Sequence, residues 1–390
     1  MRYQNVCLEA LGYALPSEIL TSEEIEDRLV PLYDRLKLPH GRLELMSGIR
    51  QRRLWPRGMR PSEQSVVSGA RAIAVAGIDA QLIGALVHGS VCRDYLEPAT
   101  ACSVHDRLEL SEDCLIYDVS NACLGLLNGL VQVANMIELG QIRAGLVVGT
   151  EDSRQLLEST IDALNRDTTL TRKTVKPAFA SLTIGSASAA MLLVHKEISR
   201  SGNQLTSVVA RAHTHHHDLC QGGHEADGGG SAVLMQTDSE QLLQEGIATG
   251  AATFAKFLNQ SGWSAGGENA AARGANSIDK TICHQVGAAH RNLMLQSLGL
   301  SLERDYSTFP WLGNTGSAAL PVTLALAAES GFVSSRDRVA LLGIGSGINC
   351  LMASVQWQKS LVGGEPAGQT EHWLPAPHVP LVQSARSPSR

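Results

Sequence analysis

Three features of this sequence predict an α/β layered fold. Short apolar runs rich in β-branched residues end in glycine, helical patterns follow them, and the rhythm recurs on either side of residue 200. At 390 residues and 44% hydrophobic, the chain can bury a large core, and at 18% charged it is not a disordered chain.

The elements follow in order. Leu20-Thr21-Ser22-Glu23-Glu24 reads as a helix start, with Thr21 as cap and Glu24 completing a capping box. Residues 85–91 (Ala-Leu-Val-His-Gly-Ser-Val) and 114–119 (Cys-Leu-Ile-Tyr-Asp-Val) read as strands. An apolar helix is predicted from Cys123 to Leu139, stopped by Gly140, and buried strands over 144–150 and 189–195. In the second half, strands are predicted over 207–212, 281–286, 339–345 and 350–357, with helices from Ser239 to about Gly262 and over 316–328. This divides the chain into an N-terminal half, 1–200, a C-terminal half, 201–360, and a Pro-, Ser- and Gly-rich tail, 361–390, expected to be mobile. The glycine-rich stretches 222–230 and 262–274 read as surface loops.

Bulk properties exclude several function classes. Asp and Glu number 38 against 32 Lys and Arg, for a net charge of −6, so no basic face for nucleic acid is expected. Met1-Arg2-Tyr3-Gln4-Asn5-Val6 lacks the apolar core of a signal peptide, and no apolar run is long enough for a transmembrane segment. The eight cysteines form no CxxC pair and read as reduced thiols of a cytoplasmic protein.

One cysteine stands in a special context. In Asp118-Val119-Ser120-Asn121-Ala122-Cys123-Leu124-Gly125 a strand ends, the chain turns through small residues, and a helix begins at the thiol. Unpaired amides and the helix dipole there favour thiolate, and the Cys123 N–H can face a thioester carbonyl. The alternative is a buried structural cysteine at a strand–helix junction, and the local pattern does not decide between them. Ile282-Cys283-His284-Gln285 puts a histidine at a strand end, and Gly313-Asn314-Thr315-Gly316 puts an amide in a tight turn before a helix. Together an imidazole and a carboxamide can stabilise an oxyanion or enolate; singly, each has a bland explanation as a core histidine or a helix cap.

These motifs, with Gly48-Ile49-Arg50 near the front and Gly343-Ile344-Gly345-Ser346-Gly347 near the end, resemble the β-ketoacyl synthase III branch of the thiolase superfamily over roughly residues 4–357. The resemblance implies a thiolase fold, with duplicated βαβαβαββ halves in a five-layered αβαβα arrangement, and a homodimer. It implies an acyltransferase without a cofactor, in which Cys123 is acylated by a coenzyme A thioester, His284 and Asn314 form one oxyanion site, and the Cys123 and Ser346 amides form the other. Within the branch, residues 20–25, Arg93-Asp94-Tyr95-Leu96-Glu97-Pro98, Asn121-Ala122-Cys123-Leu124 and 341–350 resemble the OleA-type thiolases of olefin biosynthesis. These condense two long-chain fatty acyl-CoAs head to head without decarboxylation. There, Glu97 would be the base that crosses the dimer interface and removes the α-proton. A synthase that does not lose CO₂ needs such a carboxylate, because it must break a weakly acidic C–H bond.

The alternative within the branch is a decarboxylating 3-oxoacyl-carrier-protein synthase or related natural-product ketosynthase, with an acyl carrier protein as partner. Leu43-Glu44-Leu45-Met46-Ser47 lacks the Trp and Arg that clamp adenine in the chain-initiating enzymes, and Gly287 replaces their Asn after His-Gln. Downstream biosynthetic enzymes are further possible partners. Arg52 and Arg53 are the candidates for coenzyme A phosphates, with a solvated strand edge as the alternative. His213, His215, His216, His217, Cys220 and His224 cluster without a structural-zinc spacing, so no metal site is expected.

Overall fold

The computed structural model describes residues 1–224, 233–266 and 276–365. Its strands are β1 (Val6–Ala14), β2 (Glu18–Thr21), β3 (Gln51–Leu54), β4 (Ile83–Gly89), β5 (Leu115–Val119), β6 (Ala144–Glu151), β7 (Ala187–His195), β8 (Gln204–Ala212), β9 (Cys220–His224), β10 (Val233–Thr237), β11 (Lys280–Cys283), β12 (Arg338–Gly345), β13 (Asn349–Gln356) and β14 (Val362–Gly363). The helices are α1 (Ser22–Arg28), α2 (Val30–Leu36), α3 (Arg42–Ser47), α4 (Pro61–Ala76), α5 (Thr100–Arg107), α6 (Gly125–Glu138), α7 (Arg154–Arg166), α8 (Ser239–Ser261), α9 (Ala288–Ser297), α10 (Phe309–Leu312) and α11 (Ala319–Glu329). At α1, Thr21 Oγ1 accepts from Glu24 N–H at 3.0 Å and the Glu24 carboxylate accepts from Thr21 N–H at 2.7 Å, the capping box read from the sequence.

The two halves pair their strands by one pattern. In the first, β4 runs parallel to β5 and β6, and β7 runs antiparallel to β6 and β1. In the second, β11 runs parallel to β12, and β13 runs antiparallel to β12 and β8. A parallel bridge between Thr281 and Asp305 stands where β5 stands in the first half. The half-sheets meet where β1 and β8 share the pair Cys7 and Gln204, giving the order β11-β12-β13-β8-β1-β7-β6-β4-β5.

Period-2 alternation decides which layer each strand residue enters. Leu86 of β4, and Leu146 and Val148 of β6, pack with Ala72, Ala76 and Val104 of α4 and α5, and a register shift between Ile83 and Ala85 brings Ile83 to the same side. Their neighbours Ala85, Val87 and Val147 face the opposite way, into a cluster shared with Leu127 and Leu130 of α6, Leu324 of α11, and Leu341 and Leu351 of the second half-sheet. Ala340, Leu342 and Met352 point out the far side onto Phe254 and Phe257 of α8 and Met294 and Leu295 of α9. The result is αβαβα, with α6 and α11 in the middle. In α11 every residue from Ala319 to Ala328 is buried, as a helix covered on all sides requires.

Two readings shift. The stretch Gly222-Gly223, read as surface loop, lies on β9, paired with β10; residues 225–232 and 267–275 of the glycine-rich stretches lie outside the described residues. The tail begins with order, since β14 pairs with β1 and Glu365 meets Arg71 at 2.9 Å; residues 366–390 lie outside the described residues.

The carboxyl ends of β4, β5, β6, β11 and β12 converge on one crevice, the usual place for a ligand in α/β sheets. Glycine lets the central helix reach that edge. A Cβ on Gly89, at the end of β4, would stand 2.6 Å from the backbone of Gly125, the first residue of α6. Gly89→Ala should therefore push α6 off β4 and cost about 1–3 kcal/mol of stability. Urea unfolding measures this, and an unchanged midpoint would show that the helix can yield.

Candidate active site

Cys123 sits on a tight turn between β5 and α6. Ala122 adopts φ 45°, the left-handed region that a side chain rarely occupies, and Leu124 N–H closes the turn onto Asn121 C=O at 2.9 Å. The turn directs Cys123 to the wall of a cavity of about 1230 Å³. The helix itself starts two residues later, at Gly125, not at the thiol as the sequence pattern suggested. Nor is thiolate favoured: burial first, then the nearby Glu151 carboxylate, push the Cys123 thiol up to about 12.

The second half supplies the facing groups. His284 follows β11, and its N–H donates to Leu342 C=O at 3.0 Å. Both of its ring nitrogens are buried without a partner among the described residues, and burial holds the imidazole neutral, down to about 3. Gln285 fixes this strand end. Its Nε2 donates to Cys283 C=O at 2.6 Å, while Oε1 accepts from Thr308 N–H at 2.9 Å and Phe309 N–H at 3.3 Å. That ties His284 to the segment leading to Asn314. Asn314 is held by backbone bonds to Thr183 and Gly185 of the first half. Its Oδ1 accepts from Gly316 N–H at 3.1 Å, which leaves the NH₂ as the cavity's donor.

The glycine loop after β12 closes the site. A Cβ on Gly345 would lie 3.5 Å from the Cys123 nitrogen, so the loop lies against the turn that carries Cys123. Asn349 Nδ2 donates to Ser346 C=O at 3.1 Å and Asn121 Oδ1 at 3.3 Å, and Asn121 Nδ2 donates to Asn128 Oδ1 at 2.8 Å. One amide chain thus joins the loop bearing Ser346 to the turn bearing Cys123.

Cys123, His284, Asn314 and Ser346 all line this cavity. Glu97 does not; it is exposed on the loop between β4 and α5, beside Leu96, which is 97% exposed. Arg52 and Arg53 do not fit a phosphate role. They are 0% and 1% exposed. Arg52 donates to Leu182 C=O at 2.9 Å and Ser22 Oγ at 3.1 Å, and Arg53 to Pro16 C=O at 3.0 Å. Both lie on β3 and are buried on it, and among the described residues the arginine on the cavity wall is Arg93.

Sequence reasoning missed Glu151. It ends β6, is 5% exposed, and accepts from Ser317 Oγ at 2.5 Å, Ser317 N–H at 3.2 Å and Val91 N–H at 3.1 Å. It therefore joins the segment after Asn314 to the first half beside Cys123. A glutamate at the end of an otherwise apolar strand was the available signal.

Residues 117–174 match the family 3-oxoacyl-[acyl-carrier-protein (ACP)] synthase III, and residues 269–357 match its C-terminal part. The chain is 39% identical over 361 residues to an acyl-CoA:acyl-CoA alkyltransferase of Shewanella oneidensis, covering 92% of this chain and 100% of the relative. The chain belongs to this synthase III family. Its fold is accordingly the thiolase fold, and it is a condensing acyltransferase. A second family member, an acyl-CoA:acyl-CoA alkyltransferase of Xanthomonas campestris, is 34% identical over 92% of this chain and 100% of its own. The crystal structure of Xanthomonas campestris OleA with bound lauric acid and lauroyl-CoA superposes with a TM-score of 0.83 at 34% identity, covering 91% of this chain and 100% of that one.

For this synthase III family member, the protonation state of the resting site can be measured directly. Because the thiolate is the reactive form, iodoacetamide labelling of Cys123 should climb about tenfold per pH unit from pH ~7 to ~10 without levelling. Peptide-resolved mass spectrometry follows it; a plateau below about pH 8 would reveal a preformed thiolate instead.

Proposed function

We propose that this protein condenses two long-chain acyl-CoAs head to head, without decarboxylation, through an acyl thioester on Cys123. The observation that carries the reading is the convergence of Cys123, His284 and Asn314, from both halves, on one cavity of about 1230 Å³. Its wall includes Leu43, Met46, Phe179, Leu234 and Leu242, apolar surface suited to alkyl chains. The curated relatives are acyl-CoA:acyl-CoA alkyltransferases, and the Xanthomonas protein has been solved with lauroyl-CoA and with a cysteine, a glutamate or a histidine replaced.

In the first step the Cys123 sulfur attacks the thioester carbonyl as neutral His284 takes the thiol proton. The Cys123 and Ser346 amides hold the oxyanion, the C–S bond to coenzyme A breaks, and the departing thiolate recovers the proton. A second acyl-CoA then enters and a carboxylate removes its α-proton. The resulting enolate oxygen is held by His284 and the Asn314 NH₂. Its carbon attacks the acyl-cysteine and expels the Cys123 thiolate, leaving a 2-alkyl-3-ketoacyl thioester.

Glu97 is the proposed base, acting on the site of a second copy in a homodimer. The edge strand β5 carries Leu115, 53% exposed, and the Glu97 loop carries Val91, Tyr95 and Leu96, all exposed. An open apolar edge of this kind calls for a covering partner. Eight unpaired cysteines suit a reducing cytoplasm, and among the described residues no helix is long and apolar enough to cross a membrane.

Cys123→Ala should abolish acylation, seen as loss of the acyl mass shift on the intact protein after mixing with myristoyl-CoA. Glu97→Ala should still acylate but condense at least ~10²-fold more slowly, the usual scale of general-base catalysis. Near-normal condensation by Glu97→Ala would remove it as the base. Product from acetyl-CoA plus malonyl-carrier, with none from myristoyl-CoA alone, would favour a decarboxylating synthase.

A further inference from the structure

We propose that His213, His216 and Glu245 form a binding site for a divalent transition-metal ion, zinc being the best fit, that fastens one wall of the cavity. The sequence shows a histidine tract without a zinc spacing, because the third ligand comes from a different element. His213 follows β8, His216 closes the 3₁₀ turn Thr214–His216, and Glu245 stands two turns into α8. One ring nitrogen of each histidine and a carboxylate oxygen of Glu245 all lie within 4.8 Å of one another. His216 Nε2 and Glu245 Oε2 are 3.3 Å apart, close to the edge of a tetrahedron built on metal–ligand bonds of about 2.1 Å.

The chemistry of the set agrees. Two imidazoles and one carboxylate suit zinc, and three protein ligands leave a fourth position for water. His213 Nδ1 lies 3.0 Å from Thr249 Oγ1. Donation of Nδ1–H to that hydroxyl leaves the Nε2 lone pair for a cation and fixes the ring, as an outer hydrogen bond does for metal-bound histidines. An isolated His216–Glu245 ion pair would need neither His213 nor its threonine.

The position gives the ion a consequence. His213 N–H donates to Ile348 C=O at 2.8 Å, and Ile348 N–H donates back to His213 C=O at 3.1 Å. Ile348 lies two residues past Ser346, on the cavity wall. Downstream of His216 the chain enters β9, whose Cys220 and Gly222 also line the cavity, and Asp238 N–H, just before α8, bonds Leu219 C=O at 2.8 Å. A metal joining the 3₁₀ turn to α8 would hold β9 and the glycine loop in place together.

The test uses the full-length untagged protein, loaded with zinc, desalted, and assayed by elemental mass spectrometry. Wild type should retain about one zinc per chain. Glu245→Gln and His216→Ala should retain little, while His215→Ala/His217→Ala, which removes exposed imidazoles of the same tract, should retain the ion. Thr249→Val should bind at least about tenfold more weakly. In hydrogen exchange, zinc should slow the His213 and Ile348 amides in wild type and in His215→Ala/His217→Ala, but not in Glu245→Gln, which reports the site in folded protein. Equal retention by Glu245→Gln, or loss in His215→Ala/His217→Ala, would mean an adventitious ion on a histidine-rich surface and overturn the proposal.

Discussion

The site depends on the burial of α6 and α11 between two half-sheets. Both helices start on the side where the parallel strands end, so the residues just before them, Cys123 and Asn314, are brought to one cavity. Apolar burial on every side of α11 holds that layer, since moving either helix would expose side chains worth about 1.5–3 kcal/mol each. Close approach of Gly89 and Gly125 then sets the height of α6, and Glu151 fastens the turn into α11 to the end of β6. Geometry near the thiol thus follows from packing in the middle of the molecule.

The same burial sets the electrostatics. A thiol raised to about 12 and an imidazole lowered to about 3 make the resting pair neutral, unlike the thiolate–imidazolium pairs of other cysteine enzymes. Desolvation disfavours charge on both groups, and Glu151 adds a negative charge beside the sulfur. In the proposed reaction, charge develops only as a thioester binds, where amides and the Asn314 NH₂ would meet it. Fixed dipoles serve such developing charge well, because they need not reorganise. The chain from Asn128 through Asn121 and Asn349 to Ser346 joins the turn of Cys123 to the glycine loop by neutral hydrogen bonds, which add no further charge to the site.

Period and punctuation in the sequence determined much of the fold. Alternating and continuous apolar runs gave β4 to β8 and β11 to β13 but not β1, the Thr21 capping box marked α1, and the glycine after Leu139 marked the end of α6. Strand-end cysteine and histidine and a turn asparagine were legible because small residues and glycines isolate them at element boundaries. What only the tertiary structure decided is which way side chains point and what lies beside them. Arg52 and Arg53 look like a surface patch in one dimension, yet both faces of β3 are covered by the fold and each side chain ends on a buried carbonyl. Glu151 and Glu245 carry no local motif; their partners, Ser317 and His216, are distant in sequence and meet them only after folding. Charge state followed the same division, since a helix start can be read from residues, whereas the desolvation that overrides it depends on the surrounding packing.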